Sequence, residues 1–595
     1  MKQPQPIIQL LHRLWHHLGA RQGQFFLLLA LIVLVSLIEM LSIGAVLPFL
    51  GVLTAPDNVY NQIYVRPIFE YFGFMKPSQI ILPVTITFGF IAVLVGAMRL
   101  LLLWATNRLA YSAGSDLSIS IYRRTLYQPY SIHIARNSSE IINGITGKVS
   151  NAISVIMLLL TVASSCIMLT AILAALLAID PVMALSAFFG FGLIYFVIFK
   201  LTRKSLLDTS LISANESTNV IKALQEGLGG IRDVLIDGSQ STYCRIYQGS
   251  DLPLRKAQAA SSFIATSPKY AIEALGLALI AGLSYSMAIR PDGFVEAIPI
   301  LGAMAFSAQR LLPILQQAYS AWSSINGMQV SLEDVLELLD QPLPNYAINA
   351  ISPPAPFFKL IQLNQLSFRY SQKSPFIFNN LSLSITKGSR VGFIGASGSG
   401  KTTLLDIVMG LLQPTSGTLE VDGVPITLEN QRGWQAHIAH VPQSIFLTDG
   451  TLEENIAFGV PIERIDSERV KLASQQAQIA DLIESWPNQY QTRVGERGIR
   501  ISGGQRQRIG IARALYKKAD VIIFDEATSA LDYETENAVM RTIEGLSEDL
   551  TILIIAHRLT TLQKCSQIIE IGDQGYIRST SYREIYTQTL TSNSS

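Results

Sequence analysis

Six apolar stretches, each long enough for a helix to cross a bilayer, occupy the first half of the chain. A hydrocarbon core of roughly 30 Å needs about 20 apolar residues of helix. The stretches are Phe25–Leu50, Ile80–Trp104, Val155–Ile179, Pro181–Phe199, Ser261–Ile289 and Phe294–Trp322. They predict a membrane domain of six transmembrane helices over residues 25–339, preceded by an interfacial elbow helix in residues 1–24.

Lysine and arginine residues between these stretches indicate which side of the membrane each loop occupies. The N-terminal tail, residues 105–154 and residues 200–260 hold 3, 5 and 8 of them, whereas the opposite loops hold Arg66, Lys76 and Arg290. Positive residues favour the cytoplasmic side. We therefore expect a multi-pass integral membrane protein with both termini in the cytoplasm, and we expect the membrane to be the bacterial inner membrane.

Composition excludes several other classes of protein. Hydrophobic residues make up 49% of the 595 residues, and the formal net charge of +1 gives no overall field for binding nucleic acid. The three cysteines, Cys166, Cys244 and Cys565, are scattered and have neither metal-binding nor disulfide-framework spacing. They are expected to be ordinary reduced thiols.

A proline-rich linker over residues 340–358 leads into a region, residues 359–595, where strand-length apolar runs alternate with helical patterns. This alternation predicts an α/β domain. The apolar run 391–394 leads into a glycine-rich loop that ends at Lys401 and Thr402, where a helix begins. Such a P-loop binds the phosphates of ATP through its backbone N–H groups and its lysine, and its Thr402 hydroxyl holds Mg²⁺. The predicted ATP-binding residues of the loop are Gly395, Ser397, Gly398, Gly400, Lys401, Thr402 and Thr403.

A second apolar run, residues 521–524, ends in Asp525 and Glu526. A carboxylate at the C-terminal edge of a strand can hold the hydration shell of Mg²⁺, and a second one beside it can polarise the attacking water. We interpret Asp525 as the metal-side carboxylate and Glu526 as the catalytic one. The alternative, two solvated carboxylates at a strand end, fits poorly with four apolar residues leading to this edge.

These motifs, together with Ser502-Gly503-Gly504-Gln505, resemble the ABC transporters of the exporter type, in which one transmembrane domain precedes one nucleotide-binding domain. The resemblance covers nearly the whole chain. It implies that Tyr370 stacks on adenine, that Gln443 senses the γ-phosphate and ligates the metal, and that His557 acts as the switch histidine. It also implies that Ser502, Gly503, Gly504, Gln505 and Asp532 complete the nucleotide site.

In that family the signature motif closes over ATP held by the other subunit. One nucleotide-binding domain per chain therefore implies a homodimer. The resemblance further implies that both sites hydrolyse ATP, with Glu526, His557 and Gln443 as catalytic residues and Thr402, Gln443 and Asp525 as metal ligands.

Five charged residues within the apolar stretches stand out, because a charge there costs roughly 2.5–3.5 kcal/mol on insertion scales. They are Glu39, Arg99, Lys269, Glu273 and Arg310. One interpretation is snorkelling toward lipid phosphates or a structural Lys269–Glu273 pair one turn apart. The other is a basic substrate cavity formed by Arg99, Lys269 and Arg310, suited to an anionic lipid headgroup.

Two segments, residues 36–49 and 309–313, resemble the PglK-type flippases of lipid-linked oligosaccharides. This resemblance implies an ATP-driven flippase for an amphipathic anionic lipid, with a lipid-linked oligosaccharide as one candidate. A peptide or multidrug exporter is an alternative, and an ATP-gated channel or sensor is an alternative of another class. Residues 127–142 and 225–235 lie where the family places its coupling helices, and the alternative is that they form ordinary loop helices.

Overall fold

The computed structural model describes residues 5–54, 56–60, 71, 76–179, 181–274, 278, 281, 285, 312–347, 356–526, 533–545, 549–555, 562–572 and 576–585. These residues form two compact units. The N-terminal unit comprises Met1–Leu126 and Arg136–Pro342, and the C-terminal unit comprises Tyr127–Ala135 and Leu343–Ser595. The prediction from sequence assigned residues 127–135 to the membrane domain, whereas their packing groups them with the C-terminal unit.

The N-terminal unit is helical throughout the part of it that the structure describes. Its α-helices are α1 (Ile7–His17), α2 (Gln22–Thr54), α3 (Pro56–Tyr60), α4 (Ile81–Leu126), α5 (Ser138–Asn143), α6 (Val149–Ile179), α7 (Pro181–Gly229), α8 (Ile231–Ile236), α9 (Gln240–Thr266) and α10 (Gln329–Leu339). Short 3-10 helices cover Gly19–Arg21 and Pro77–Ile80, and a π-helical turn covers Gly144–Lys148. Residues 268–274 and 312–327 are also helical.

Helices α2, α4 and α6 pack on one another and form the largest apolar core of this unit. The buried side chains at its centre include Ile32, Ala113, Leu117 and Ile156. Helix α1 buries Leu10 and Leu14 in the same core, which is why its apolar residues recur at helical spacing. Helix α7 packs along α9.

Three helical segments among the described residues are long and apolar enough to cross a membrane, namely Gly19–Ser42, Pro77–Leu126 and Ser138–Ala174. They contain most of the first predicted span, all of the second and most of the third. The fourth predicted span, Pro181–Phe199, lies in α7. Much of the fifth and sixth lies outside the described residues, so the count of six remains a prediction.

The C-terminal unit contains two sheets. Its strands are β1 (Leu360–Phe368), β2 (Phe378–Thr386), β3 (Arg390–Gly395), β4 (Ser416–Val421), β5 (Val424–Pro425), β6 (Ile438–Val441), β7 (Val521–Asp525), β8 (Thr551–Ile555), β9 (Gln567–Ile571) and β10 (Ile577–Thr580). One sheet has the antiparallel order β2-β1-β4-β5, and the other has the order β10-β9-β3-β8-β7-β6.

Helices of the C-terminal unit flank these sheets. They are α11 (Tyr130–Ala135), α12 (Lys401–Val408), α13 (Gln431–Gln435), α14 (Leu452–Ile456), α15 (Ser467–Gln476), α16 (Ala480–Glu484), α17 (Gly503–Lys517) and α18 (Tyr533–Glu544). 3-10 turns cover Asn345–Ala347, Ile462–Arg464, Gln489–Gln491 and Glu496–Gly498. The helical N-terminal unit and the α/β C-terminal unit are the two fold classes that the sequence predicts.

The parallel part of the six-stranded sheet determines where the site lies. Strands β9, β3, β8, β7 and β6 run parallel, and β10 is antiparallel at the edge. The five residues of β7 are all buried, which explains their uniformly apolar sequence before Asp525. Because the carboxyl ends of parallel strands meet at one edge, the loops after β3 and β7 face the same ligand-binding edge.

Candidate functional site

The loop between β3 and α12 wraps around its own lysine. The Lys401 side chain is buried, and its Nζ donates hydrogen bonds to the carbonyl oxygens of Gly395 and Ala396, both at 2.9 Å. Gly400 has φ +98°, and a Cβ there would lie 2.7 Å from Ile377 Cγ2. Only glycine therefore fits without displacing a neighbour. The N-terminus of α12 points its unpaired N–H groups toward this loop, as an anion site requires.

An aromatic side chain lies beside the same helix. The hydroxyl of Tyr370 is 3.0 Å from Thr403 Oγ1, and the Tyr370 ring packs edge-on against Phe368 with centroids 5.1 Å apart. About half of Tyr370 is exposed. A fixed, half-exposed ring next to a phosphate loop is suited to stacking on a base.

Two carboxylates follow the buried strand β7. Burial raises the pKa of Asp525, and the charge of Glu526 acts in the same direction, whereas a hydrogen bond from the Thr402 side chain opposes both effects. Gln443 Nε2 donates to Glu526 Oε2 at 2.7 Å. The structure thus brings together the three predicted metal ligands, Thr402, Gln443 and Asp525, with Glu526 alongside.

The backbone of Glu526 is in a left-handed conformation, with φ +52°. A side chain other than glycine in this region costs on the order of 1–2 kcal/mol. Its N–H donates to Ile555 O at 3.1 Å, which holds the turn against β8. Strain held in this way is frequent where a side chain must be aimed at a reacting group.

A third carboxylate, Asp406, was not singled out from the sequence. It lies in α12, partly buried, and burial raises its pKa to about 6 with a further contribution from the charge of Asp525. The sequence signal that would have revealed it is a single carboxylate among the apolar residues Leu404, Leu405 and Ile407. Three acidic side chains therefore share one edge of the sheet.

The predicted signature residues begin another helix. Ser502 caps α17: its hydroxyl accepts from the N–H of Gln505 at 3.3 Å, and the side chain of Gln505 accepts from the N–H of Ser502 at 3.0 Å. This reciprocal capping box fixes the first turn, in which Gly503 and Gly504 leave the backbone open to an approaching phosphate. Asp532 and His557 lie outside the described residues.

The segment Tyr127–Ala135 is packed within the C-terminal unit. Arg432 lies over the rings of Tyr127 and Tyr346, at 6.0 and 5.4 Å from their centroids. Burial raises the pKa of Tyr130, and the charges of Asp406 and Tyr370 contribute in the same direction. This segment, although separated in sequence from the rest of its unit, therefore lies close to α12. The sequence assigned it a coupling position but did not predict these contacts.

The N-terminal unit has a cavity of about 410 Å³ between α2, α4, α6 and residues 313–317. Its wall includes Glu39 and Arg99, and Arg99 Nε donates to Glu39 Oε1. Glu39 is buried, whereas about half of the Arg99 side chain is exposed. Lys269 does not line this cavity; its Nζ lies 3.9 Å from Glu273 one turn away, as the spacing predicts. Arg310 lies outside the described residues.

Comparisons with known proteins agree with this architecture. Residues 378–529 match the family model described as ABC transporter. The ATP-dependent lipid A-core flippase of Saccharophagus degradans is 31% identical over 481 residues, which cover 78% of each chain. The α-hemolysin translocation ATP-binding protein HlyB of Escherichia coli O157:H7 is 27% identical over 563 residues, covering 91% of this chain and 75% of that protein. A solved structure of a bacterial Atm1-family ABC exporter with ATP bound has a TM-score of 0.77 at 22% identity, covering 96% of this chain and 97% of that chain.

A unit with helices long enough to span a membrane, followed along the chain by a P-loop unit, is typical of ATP-driven membrane transporters. The chain belongs to the ABC transporter family and has the exporter fold. The predicted family and fold class are therefore confirmed, as is ATP hydrolysis coupled to transport. The finer resemblance to the PglK-type flippases rests on short segments and remains a prediction.

Proposed function

We propose that this transporter is a flippase that moves an amphipathic lipid with an anionic headgroup across the membrane. The observation that carries the proposal is the Arg99 side chain, half-exposed at the wall of a 410 Å³ cavity within the membrane unit. A relative covering most of the chain is named as a lipid A-core flippase, which supports a lipid cargo. A lipid-linked oligosaccharide is one such cargo.

Arg99 is suited to an anionic group because the guanidinium presents several N–H donors in a rigid fork. Its Nε bonds Glu39, which leaves the two terminal NH₂ groups for acceptors in the cavity. We propose Arg310 and Lys269 for the same substrate as well, with Lys269 contacting it outside the wall of this cavity. The apolar residues Ile32, Leu102, Leu160 and Ile314 also line the wall and suit an acyl or prenyl chain.

For ATP hydrolysis we propose the roles that the family assigns. Lys401 and the N–H groups of the phosphate loop would hold the phosphates, and Tyr370 would stack on adenine. Ser399 Oγ is buried without a hydrogen-bond partner among the described residues, which fits a loop whose remaining partner is a phosphate. Asp532 and the signature residues Ser502–Gln505 would complete the site from the other subunit.

The oxygen donors at the sheet edge fit Mg²⁺, which prefers hard oxygen ligands. The Thr402 hydroxyl, the Gln443 side chain and the Asp525 carboxylate would hold the ion, which when bound neutralises charge on the phosphates. Glu526 would orient and polarise the attacking water. The Glu526 carboxylate is itself held by the hydrogen bond from Gln443 Nε2. His557 would complete the catalytic set.

We further propose a homodimer in the bacterial inner membrane, with six spans per protomer and both termini cytoplasmic. The domain boundaries would be residues 1–24, 25–339, 340–358 and 359–595. The packing of Tyr127–Ala135 with the C-terminal unit supports a role for this segment in coupling ATP binding to the membrane helices.

The test is transport by the purified full-length protein in proteoliposomes. Fluorescent forms of a polyprenyl-pyrophosphoryl sugar, phosphatidylglycerol and a peptide would be compared for ATP-dependent translocation, with Glu526→Gln as the inactive control. We expect one of the two lipids to be moved and Arg99→Ala to reduce its stimulation of ATPase activity to near the unstimulated rate. Unchanged stimulation in Arg99→Ala would remove Arg99 from the substrate site.

A second candidate is a protein or peptide exporter, favoured by the match to HlyB over 91% of this chain. Translocation of the peptide without either lipid would select this candidate. An ATP-gated channel or sensor does not need the hydrolytic geometry of Glu526 and Gln443. Ion flux that depends on ATP binding and persists in Glu526→Gln would select that class.

A further inference from the structure

Glu39 has a buried carboxylate, and only one of its two oxygens accepts a hydrogen bond among the described residues. It lies in α2, and its side chain is 7% exposed. Oε1 accepts from Arg99 Nε, whereas Oε2 is buried and has no hydrogen-bond partner among the described residues. Buried polar atoms are nearly always satisfied, so an unpartnered carboxylate oxygen beside a cavity indicates an absent donor.

Ser165, on α6, is the second such group in the same wall. Two other hydroxyl groups in this wall donate to the carbonyl oxygen four residues earlier in their own helix: Ser36 to Ile32 O and Thr161 to Met157 O, both at 2.9 Å. The hydroxyl of Ser165 is buried and has no partner within the part of the chain that the structure describes. Like Glu39, it lines the 410 Å³ cavity.

The cavity therefore combines three kinds of polar group. Glu39 Oε2 can only accept a hydrogen bond, Ser165 can donate or accept, and the terminal NH₂ groups of Arg99 can only donate. The Arg99–Glu39 ion pair is close to neutral overall. An anion without hydroxyl groups could therefore form hydrogen bonds with Arg99 but none with Glu39. A ligand that carries hydroxyl groups beside a phosphate would satisfy all three side chains.

We propose that Glu39 and Ser165 form a subsite for hydroxyl groups of the transported headgroup, next to Arg99 as the site of its phosphate. This inference rests on the proposed lipid flippase function and specifies the headgroup as polyhydroxylated. A sugar of a lipid-linked saccharide and the glycerol of phosphatidylglycerol share this chemistry. The substrate is thus recognised inside the membrane unit by one acceptor, one hydroxyl and one guanidinium.

The test compares ligands with and without hydroxyl groups on the full-length protein in nanodiscs. Polyprenyl-pyrophosphoryl N-acetylglucosamine, polyprenyl pyrophosphate, phosphatidylglycerol and phosphatidic acid would each displace a fluorescent lipid probe. In the wild type we expect the hydroxyl-bearing member of at least one pair to bind about tenfold or more tightly than its partner, as a hydrogen bond to a charged group implies.

In Glu39→Gln the amide oxygen still accepts the hydrogen bond from Arg99 Nε. The amide NH₂ group, a donor, then takes the place of the unpartnered oxygen. We expect this variant to lower the affinity ratio between the paired ligands, because a hydrogen bond to a neutral amide replaces one to a carboxylate, whereas a purely structural defect would weaken both members alike. Ser165→Ala should lower the ratio by a smaller factor, and it carries the test if Glu39→Gln does not fold. Thr170→Ala is the matched control on α6, since its exposed hydroxyl bonds the helix's own carbonyls of Cys166 and Ile167.

The outcomes separate the subsite from the proposed function. A ratio that persists in both Glu39→Gln and Ser165→Ala overturns the subsite and leaves lipid transport standing. Equal binding of paired ligands by the wild type also overturns it. Failure of all four lipids to bind the wild type overturns the lipid flippase proposal itself. Loss of the ratio for one pair only supports the subsite and identifies sugar or glycerol as its ligand.

Discussion

The substitution Asp406→Asn tests how the crowded carboxylates at the sheet edge affect stability. Burial raises the pKa of Asp406 from 3.8 to about 6, and the charge of Asp525 adds to the effect. The native state therefore disfavours the charged form of this side chain. Asparagine has nearly the same shape and cannot ionise, so it removes this penalty while leaving α12 intact.

The size of the effect follows from linkage between protonation and folding. A pKa of about 6 in the folded chain against 3.8 in the unfolded chain corresponds to about 3 kcal/mol at 1.36 kcal/mol per unit. Because Asp406 keeps some exposure, we expect a gain in the free energy of unfolding of about 1–3 kcal/mol at pH 8. The folded state binds more protons between the two pKa values, so wild-type stability falls as the pH rises through this window. The gain from asparagine is complete above about pH 6 and shrinks to about one third at pH 4.5.

The assay is urea unfolding of the full-length protein without nucleotide and with EDTA, followed by the fluorescence of Trp434. This residue is fully buried, and its indole Nε1 donates to Val408 O at 2.8 Å, at the end of the helix that carries Asp406. The other four tryptophans, Trp15, Trp104, Trp322 and Trp486, would be replaced by phenylalanine. With a slope of about 2–3 kcal/mol per M, a gain of 1–3 kcal/mol moves the urea midpoint by roughly 0.3–1.5 M at pH 8.

The exposed carboxylate Asp449 provides the matched control, because Asp449→Asn makes the same change in net charge away from this cluster. A gain in Asp406→Asn that is as large at pH 4.5 as at pH 8 would contradict the linkage argument. So would the absence of any gain at pH 8. The first result would mean that the gain does not arise from ionisation of Asp406, and the second that Asp406 is solvated well enough to ionise freely in the folded protein.

Three further predictions concern the nucleotide site. Glu526→Gln should lower ATP hydrolysis at least about 100-fold while ATP still binds, as measured by phosphate release and by equilibrium binding. Gly400→Ala should weaken ATP binding roughly tenfold or more, since its φ of +98° and a Cβ 2.7 Å from Ile377 both oppose a side chain. The control Gly423→Ala shares a positive φ of +80° but meets no atom within 4 Å, so ATP binding should be unchanged. Tyr370→Ala should raise the Kd for ATP about tenfold and Tyr370→Phe should not, because stacking uses the ring; equal losses would contradict stacking.

The parts of the site that were predictable from sequence are those encoded within a short segment. A buried strand, a glycine-rich loop and a helix follow one another in the phosphate loop, so the sequence order already specifies the geometry around Lys401. The carboxylates after β7 were predictable for the same reason. The pKa of Asp406 was not predictable, because it depends on how closely α12 packs against a strand that comes more than 100 residues later.

The intramembrane charges show the same division between local and long-range information. Lys269 and Glu273 lie one turn apart on one helix, and their proximity followed from spacing alone. Glu39 and Arg99 are 60 residues apart, and only the packing of α2 on α4 makes them a pair. This pairing changes the expected electrostatics of the cavity: Arg99 supplies directional N–H donors, but its net field is largely cancelled by Glu39. Selectivity for an anionic headgroup must then come from hydrogen-bond geometry at Arg99, and raising the ionic strength should weaken substrate binding only slightly.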